Sequence, residues 1–225
     1  VTARIALLGG SYDPVHLGHV ALGLHFAALL DADELRVIPA GSPWQKGAVQ
    51  ATPQQRADMA QLAFEDAAST SAAWPANLKV VIDRQEIERA APTYTIDTLR
   101  QLRGVFGPEA SIAFLMGADQ LRRLDTWHDW RQLFDHAHIL VAARPGFSLD
   151  EAQLPREVAD AFAARLGSLE SIRNTPHGLT YLAQDFAVDI SATQIRAALQ
   201  RGDRANSHIS PRVLDYIEQH NLYKS

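Results

Sequence analysis

Apolar positions along the chain alternate between short continuous runs and helical spacing, the pattern of strands interleaved with helices. Residues 5–8 form a strand-length apolar run that Gly9-Gly10 ends. After Pro14, Leu17, Val20, Ala21, Leu24 and Ala28 share one stripe and predict a helix. Residues 34–39 read as a second strand, so the chain opens with strand, helix, strand, a unit that implies a parallel sheet. Thr52-Pro53 starts a helix through Ala63 or Phe64, with proline in its first turn. The Ala/Ser-rich residues 66–75 read as a loop. Further strands are expected over 79–83, 111–116, 138–143 and 179–182. Ile96, Leu99, Leu102 and Val105 keep helical spacing behind Pro92, with Thr93 or Thr95 available as the cap. Residues 148–173 hold a helix from about 155 to 166 among loops, and 211–219 form the closing helix.

Composition narrows the class. A chain of 225 residues with 47% apolar and 21% charged residues suits one large domain or a domain with a small appendage. We read 1–225 as one domain, with the C-terminal helices from about residue 191 packing on the sheet. The net charge of −5 argues against non-specific nucleic-acid binding and leaves room for a local cationic pocket. The absence of cysteine excludes disulfides and zinc-thiolate sites. No apolar run approaches the roughly 20 residues that span a bilayer, and the opening run is of strand length rather than a signal peptide. The expectation is a cytoplasmic protein with neither nucleic acid nor membrane as partner. The oligomeric state stays open.

Polar residues gather where the predicted strands end. In Gly9-Gly10-Ser11-Tyr12-Asp13-Pro14-Val15-His16-Leu17-Gly18-His19, the glycines let the backbone approach a ligand. The helix start that follows offers free amides and a positive dipole end, which suits phosphate. His16 and His19 are three apart and share a face. Taken singly they could be surface residues or part of a metal site, but the chain offers no third ligand at suitable spacing, so no metal site is expected. Asp13 could do no more than shape the turn. Lys46, in the loop after the second strand, could reach a phosphate or stand in solvent. Arg56 could be a surface, structural or ligand residue. Asp119, just past a strand end in Gly117-Ala118-Asp119, could accept from ribose hydroxyls, cap a helix, or do both. Trp127 could pack or meet a ligand, and Trp130 reads as interior. Arg144 sits at a strand end. Ser191 and Thr193 can cap a helix, and Arg196 lies close enough to aim at the same anion.

The Gly-Gly-Ser-x-Asp-Pro-x-His-x-Gly-His segment resembles the His-x-Gly-His signature of the small nucleotidyltransferases, which class I aminoacyl-tRNA synthetases share. Thr93-Tyr94-Thr95 resembles the recognition loop of pyridine mononucleotide adenylyltransferases. Ile190-Ser191-x-Thr193-x-Ile195-Arg196 resembles the family's third signature. Spread from residue 4 to about 223, the likeness is to bacterial nicotinate-nucleotide adenylyltransferases. It implies an α/β fold, a doubly wound parallel Rossmann-like sheet of the HUP type. It implies transfer of the adenylyl group of ATP to nicotinate mononucleotide, giving deamido-NAD and pyrophosphate, with Mg2+ arriving on ATP. His16, His19 and Arg196 would be catalytic. Gly9, Gly10, Ser11, Tyr12, Gly18, Gly117, Asp119, Ile190, Ser191 and Thr193 would hold ATP. Lys46, Tyr94, Thr95, Trp127 and Arg144 would hold the mononucleotide, with Trp127 stacked on the cationic pyridine ring. The loop departs from the family at Trp44-Gln45, where Pro-His is usual. A nicotinamide-mononucleotide adenylyltransferase and a non-catalytic nucleotide sensor of the same fold remain as alternatives.

Overall fold

The computed structural model describes residues 2–41, 49–71, 74–89, 92–143, 149, 154–186, 190–203 and 208–224. Strands β1 (Arg4–Gly10), β2 (Glu34–Pro39), β3 (Lys79–Ile82), β4 (Ser111–Gly117), β5 (His138–Ala142) and β6 (Thr180–Ala183) form one sheet in the order β3-β2-β1-β4-β5-β6, parallel throughout. Helix α1 (Leu17–Leu30) joins β1 to β2, and α2 (Pro53–Thr70) lies between β2 and β3. Helices α3 (Gln85–Glu88) and α4 (Thr95–Phe106) precede β4. Helix α5 (Ala118–Leu121) and two 3₁₀ turns, Leu124–Thr126 and Trp130–Asp135, lead to β5. Helices α6 (Arg156–Ala163) and α7 (Leu169–Asn174) precede β6, and α8 (Ala192–Gln200) and α9 (Pro211–Gln219) follow it.

The alternation of β1 fixes the layers. Ala6 and Leu8 face a cluster containing Val20 and Phe26 of α1, Met59 of α2, Ile195 of α8 and Val213 of α9. Ile5 and Leu7 face a second cluster with Leu99 and Leu102 of α4, Leu133 and Phe162. Period-two side chains therefore bury both faces of the sheet, as a parallel sheet requires. Successive strands lead outward from β1 on one side and from β4 on the other. The pair β1–β4 is thus the switch point, where open α/β sheets form their ligand crevice. Helix α9 lies against α2.

Several local expectations are corrected. Helix α1 starts at Leu17 and buries Gly18, Val20, Gly23, Phe26, Ala27 and Leu30, while Leu17 itself is 39% exposed. Its sequence is apolar nearly all round, so spacing could not choose a face. A Cβ on Gly23 would come within 3.0 Å of Leu35 and 3.3 Å of Leu8, so the helix rests on the sheet at that glycine. Helix α2 continues to Thr70 through part of the expected loop, with Ser69 and Thr70 hydroxyls donating to the Asp66 carbonyl. Helix α7 has no predicted counterpart; its cap is Ser168, which accepts from the Ser171 amide. Val105 stays exposed although it keeps the α4 spacing.

Candidate active site

The turn after β1 is built by the side chains of its own motif. Tyr12 has φ 51°, in the left-handed region, and its fully buried hydroxyl donates to the Leu8 carbonyl at 2.6 Å. Its ring meets His19 edge-on at 5.0 Å. The enclosed Tyr12 side chain thus supports His19 from below the turn. His16 is the residue before α1, and its amide donates to Nδ1 of His19 at 3.2 Å. In neutral His19 the proton therefore sits on Nε2, leaving that nitrogen as a donor. The two imidazoles stack at 3.7 Å with 23° between planes. The glycine between them is a steric demand: a Cβ on Gly18 would lie 3.0 Å from the His16 ring and 3.3 Å from Cβ of Ile190. Likewise a Cβ on Gly10 would lie 3.0 Å from the Tyr12 ring.

Buried ionic groups hold this turn from several directions. Asp13 does shape it: Oδ2 accepts from the Gln50 amide at 3.0 Å, and Oδ1 accepts from the Ala51 amide at 3.1 Å and from the Tyr223 hydroxyl at 2.7 Å. Arg56 of α2 is fully buried and donates to the carbonyls of Ser11 at 2.7 Å and Gly41 at 2.9 Å. It is structural, and burial lowers its pKa against the partly opposing pull of Asp13, Tyr223 and Glu86. Arg196 of α8 donates to the Asp13 carbonyl at 2.6 Å and to the Thr193 hydroxyl at 3.3 Å. The starts of α1 and α8 therefore meet over the end of β1, with Ile190 against Gly18. Ser191 is the residue before α8, and its hydroxyl makes no cap bond.

Beside the turn, a pocket runs along the other side of the β1 end. Gly9, Gly10 and Ser11 line it together with Tyr94, Thr95 and Trp127, three residues picked out by sequence for one role. Neither Thr93 nor Thr95 caps α4; Tyr94 occupies the cap position without a side-chain bond, and Thr95 is the first helical residue. Trp127 stands edge-on to Phe114 at 5.9 Å, and its buried indole N–H has no hydrogen-bond partner among the described residues. Trp130 is interior, as expected.

The pocket also holds residues that sequence reasoning missed. His128 lies 4.4 Å from the Tyr94 ring, with 31° between planes. Glu86 is buried, and Thr98 donates to its Oε1 at 2.7 Å. Burial raises the Glu86 pKa, with the Thr98 hydrogen bond opposing. Nothing local in Glu86-Ile87-Glu88 points to the pocket; the fold alone brings Glu86 into it.

Two other expected residues lie at the end of β4, the neighbour of β1. Gly117 precedes α5, and a Cβ there would meet nothing within 4 Å. Asp119 is not a cap; its side chain is 92% exposed and pairs with Arg122 at 2.9 Å. Lys46 and Arg144, with Trp44 and Gln45, lie outside the described residues. Among the described residues, no group of three His, Cys, Asp or Glu could hold a metal ion, and no helix is long and apolar enough to cross a membrane.

A family model described as cytidylyltransferase-like matches residues 7–198. A relative from Herminiimonas arsenicoxydans described as "Probable nicotinate-nucleotide adenylyltransferase" is 60% identical over 225 residues, covering 100% of this chain and 99% of its own. One from Chromobacterium violaceum, described in the same words, is 40% identical over all of both chains. Among solved structures, the Plasmodium falciparum nicotinic acid mononucleotide adenylyltransferase complexed with NaAD superposes with a TM-score of 0.70 at 19% identity, over 98% of this chain and 97% of that one. That likeness speaks for the fold.

Proposed function

We infer that this chain, which belongs to the cytidylyltransferase-like family and to its nicotinate-nucleotide adenylyltransferases, transfers the adenylyl group of ATP to nicotinate mononucleotide and releases pyrophosphate and deamido-NAD. The observation that carries the mechanism is the convergence of His16, His19 and the Arg196-bearing start of α8 on one turn at the end of β1.

The mononucleotide phosphate is already an anionic nucleophile, so no general base is required. One of its oxygens attacks the α-phosphorus of ATP in line. A new P–O bond forms as the bond to the bridging oxygen of the β-phosphate breaks, and that oxygen leaves with its electron pair on pyrophosphate. Catalysis then consists of positioning and of stabilising charge on the α-phosphate and the leaving oxygen. In this reading His19 supplies an Nε2–H donor, Arg196 a fixed positive charge, and the α1 and α8 starts their amides. Mg2+ belongs to the proposal as part of the MgATP substrate. Asp13, the carboxylate nearest in sequence to the histidines, is already committed through both oxygens, which supports a metal held chiefly by the phosphates.

The mononucleotide falls to the aromatic pocket. The Trp127 face suits a cationic pyridine ring. A carboxylate only accepts hydrogen bonds whereas an amide also donates, so acid and amide separate by donor pattern. The test is pyrophosphate release with MgATP, comparing nicotinate with nicotinamide mononucleotide. The expected result is strong preference for the acid. Equal or reversed preference would change the substrate, and no release with either would leave the nucleotide-sensor reading.

A further inference from the structure

We propose that Tyr223, near the C-terminal end of the described chain, is a positioning residue for adenylyl transfer, acting through Asp13 on both Arg196 and the His16–His19 turn. This inference rests on the reading above.

Tyr223 is buried, and it reaches back across 210 positions of sequence to donate to Oδ1 of Asp13. Both carboxylate oxygens of Asp13 are engaged, Oδ2 by the Gln50 amide and Oδ1 by the Ala51 amide and Tyr223. Its main-chain carbonyl receives Arg196 at 2.6 Å. The carboxylate thus fixes the peptide whose other end orients the guanidinium, and the chain from Asp13 runs through Pro14 and Val15 into His16. Tyr223 is the contributor to this hub that comes from the far end of the chain. Its hydroxyl remains a donor at any working pH, because burial and Asp13 hold its pKa well above the ordinary tyrosine value.

The backbone around it points the same way. Tyr223 has φ of 58°, in the left-handed region that residues with a bulky side chain seldom enter. Such conformations persist where the surroundings over-determine them. Here the surroundings are the Asp13 hydrogen bond and the apolar cluster that takes the Tyr223 ring.

The test is Tyr223→Phe, which keeps the ring and removes only the hydroxyl. Steady-state pyrophosphate release should show kcat down by at least about tenfold, because small displacements of a positioned group cost rate steeply. KM for both substrates should stay within about twofold. Combined with Arg196→Lys, the losses should be clearly less than multiplicative, because Tyr223 acts in part through the carbonyl that orients Arg196. Tyr216→Phe, on the same C-terminal segment, loses a bond to Asp58 of α2; it should leave kcat unchanged and serves as the control. A Tyr223→Phe enzyme with lower thermal stability and wild-type kcat, or losses that multiply fully with Arg196→Lys, would overturn the positioning role. Wild-type enzyme inactive with both mononucleotides would overturn the functional reading and this inference with it; an active wild type beside an unaffected variant overturns this inference alone.

Discussion

The stacked histidines and the pocket tryptophan should separate cleanly in kinetics. His19→Ala removes a donor aimed, in the proposed reaction, at charge that develops in the transition state. It should lower kcat by about 10²–10³ and change the mononucleotide KM little. Equal losses in kcat and in binding would assign His19 to uniform binding instead. Trp127→Ala removes a ring face and its contact with Phe114. It should raise the mononucleotide KM several-fold and leave the ATP KM near its wild-type value, and an unchanged mononucleotide constant would take Trp127 out of the site. Both residues stood out as candidates in the sequence because they sit in a fixed spacing and a short motif. Glu86 and Tyr223 did not, because their partners are 12 and 210 positions away. The enclosure of Tyr12 was equally hidden: nothing in Gly-Gly-Ser-Tyr says that the hydroxyl folds back on Leu8.

At the scale of elements, the site depends on helices that are pinned to the turn as much as on helix starts that face it. Helix α2 is the clearest case. Its start was legible from Thr52-Pro53, and there a reciprocal cap joins Thr52 and Gln55. Its grip on the turn comes from Arg56, which the sequence left open between surface and interior. Arg56→Met should take the guanidinium donor from the buried carbonyls of Ser11 and Gly41, at a cost of about 1–3 kcal/mol per lost buried bond. Urea unfolding should show that loss, and kcat should fall with it because the Ser11 peptide belongs to the motif turn. A variant as stable as wild type would mean that water replaces the guanidinium. Helix α1 shows the converse limit. Its existence was plain from composition, but its face was set by Gly23 seating on Leu8 and Leu35, a tertiary fit that an all-apolar helix cannot advertise.

For the whole molecule, strand existence was legible from apolar runs, and parallel pairing from the first strand-helix-strand unit. The doubly wound arrangement was carried by family likeness, and the order β3-β2-β1-β4-β5-β6 came only with the structure, because pairing is non-local. The half of the sheet beyond β4 also carries a titratable stitch outside the site. His138, at the start of β5, is fully buried; its Nδ1 accepts from the Leu179 amide at 3.0 Å and its Nε2 donates to the Thr175 carbonyl at 2.8 Å. The ring is thus held neutral, with the proton on Nε2, and protonating Nδ1 would break the bond to Leu179. Burial is the main cause that lowers its pKa to about 4, with the Thr175 hydrogen bond opposing. In the unfolded chain a histidine titrates near 6.5. Between those values the unfolded state binds the extra proton, so the contribution of His138 is whole above about pH 6.5 and fades as pH falls toward about 4. The slope approaches about 1.4 kcal/mol per pH unit in that window. His138→Asn removes the titration along with some of the bonding. Urea unfolding of both proteins from pH 7.5 down to pH 5 should therefore show the variant less stable at neutral pH and the gap closing as the solution is acidified. A gap that stays constant would mean that the folded chain accepts the proton at His138 as readily as the unfolded one.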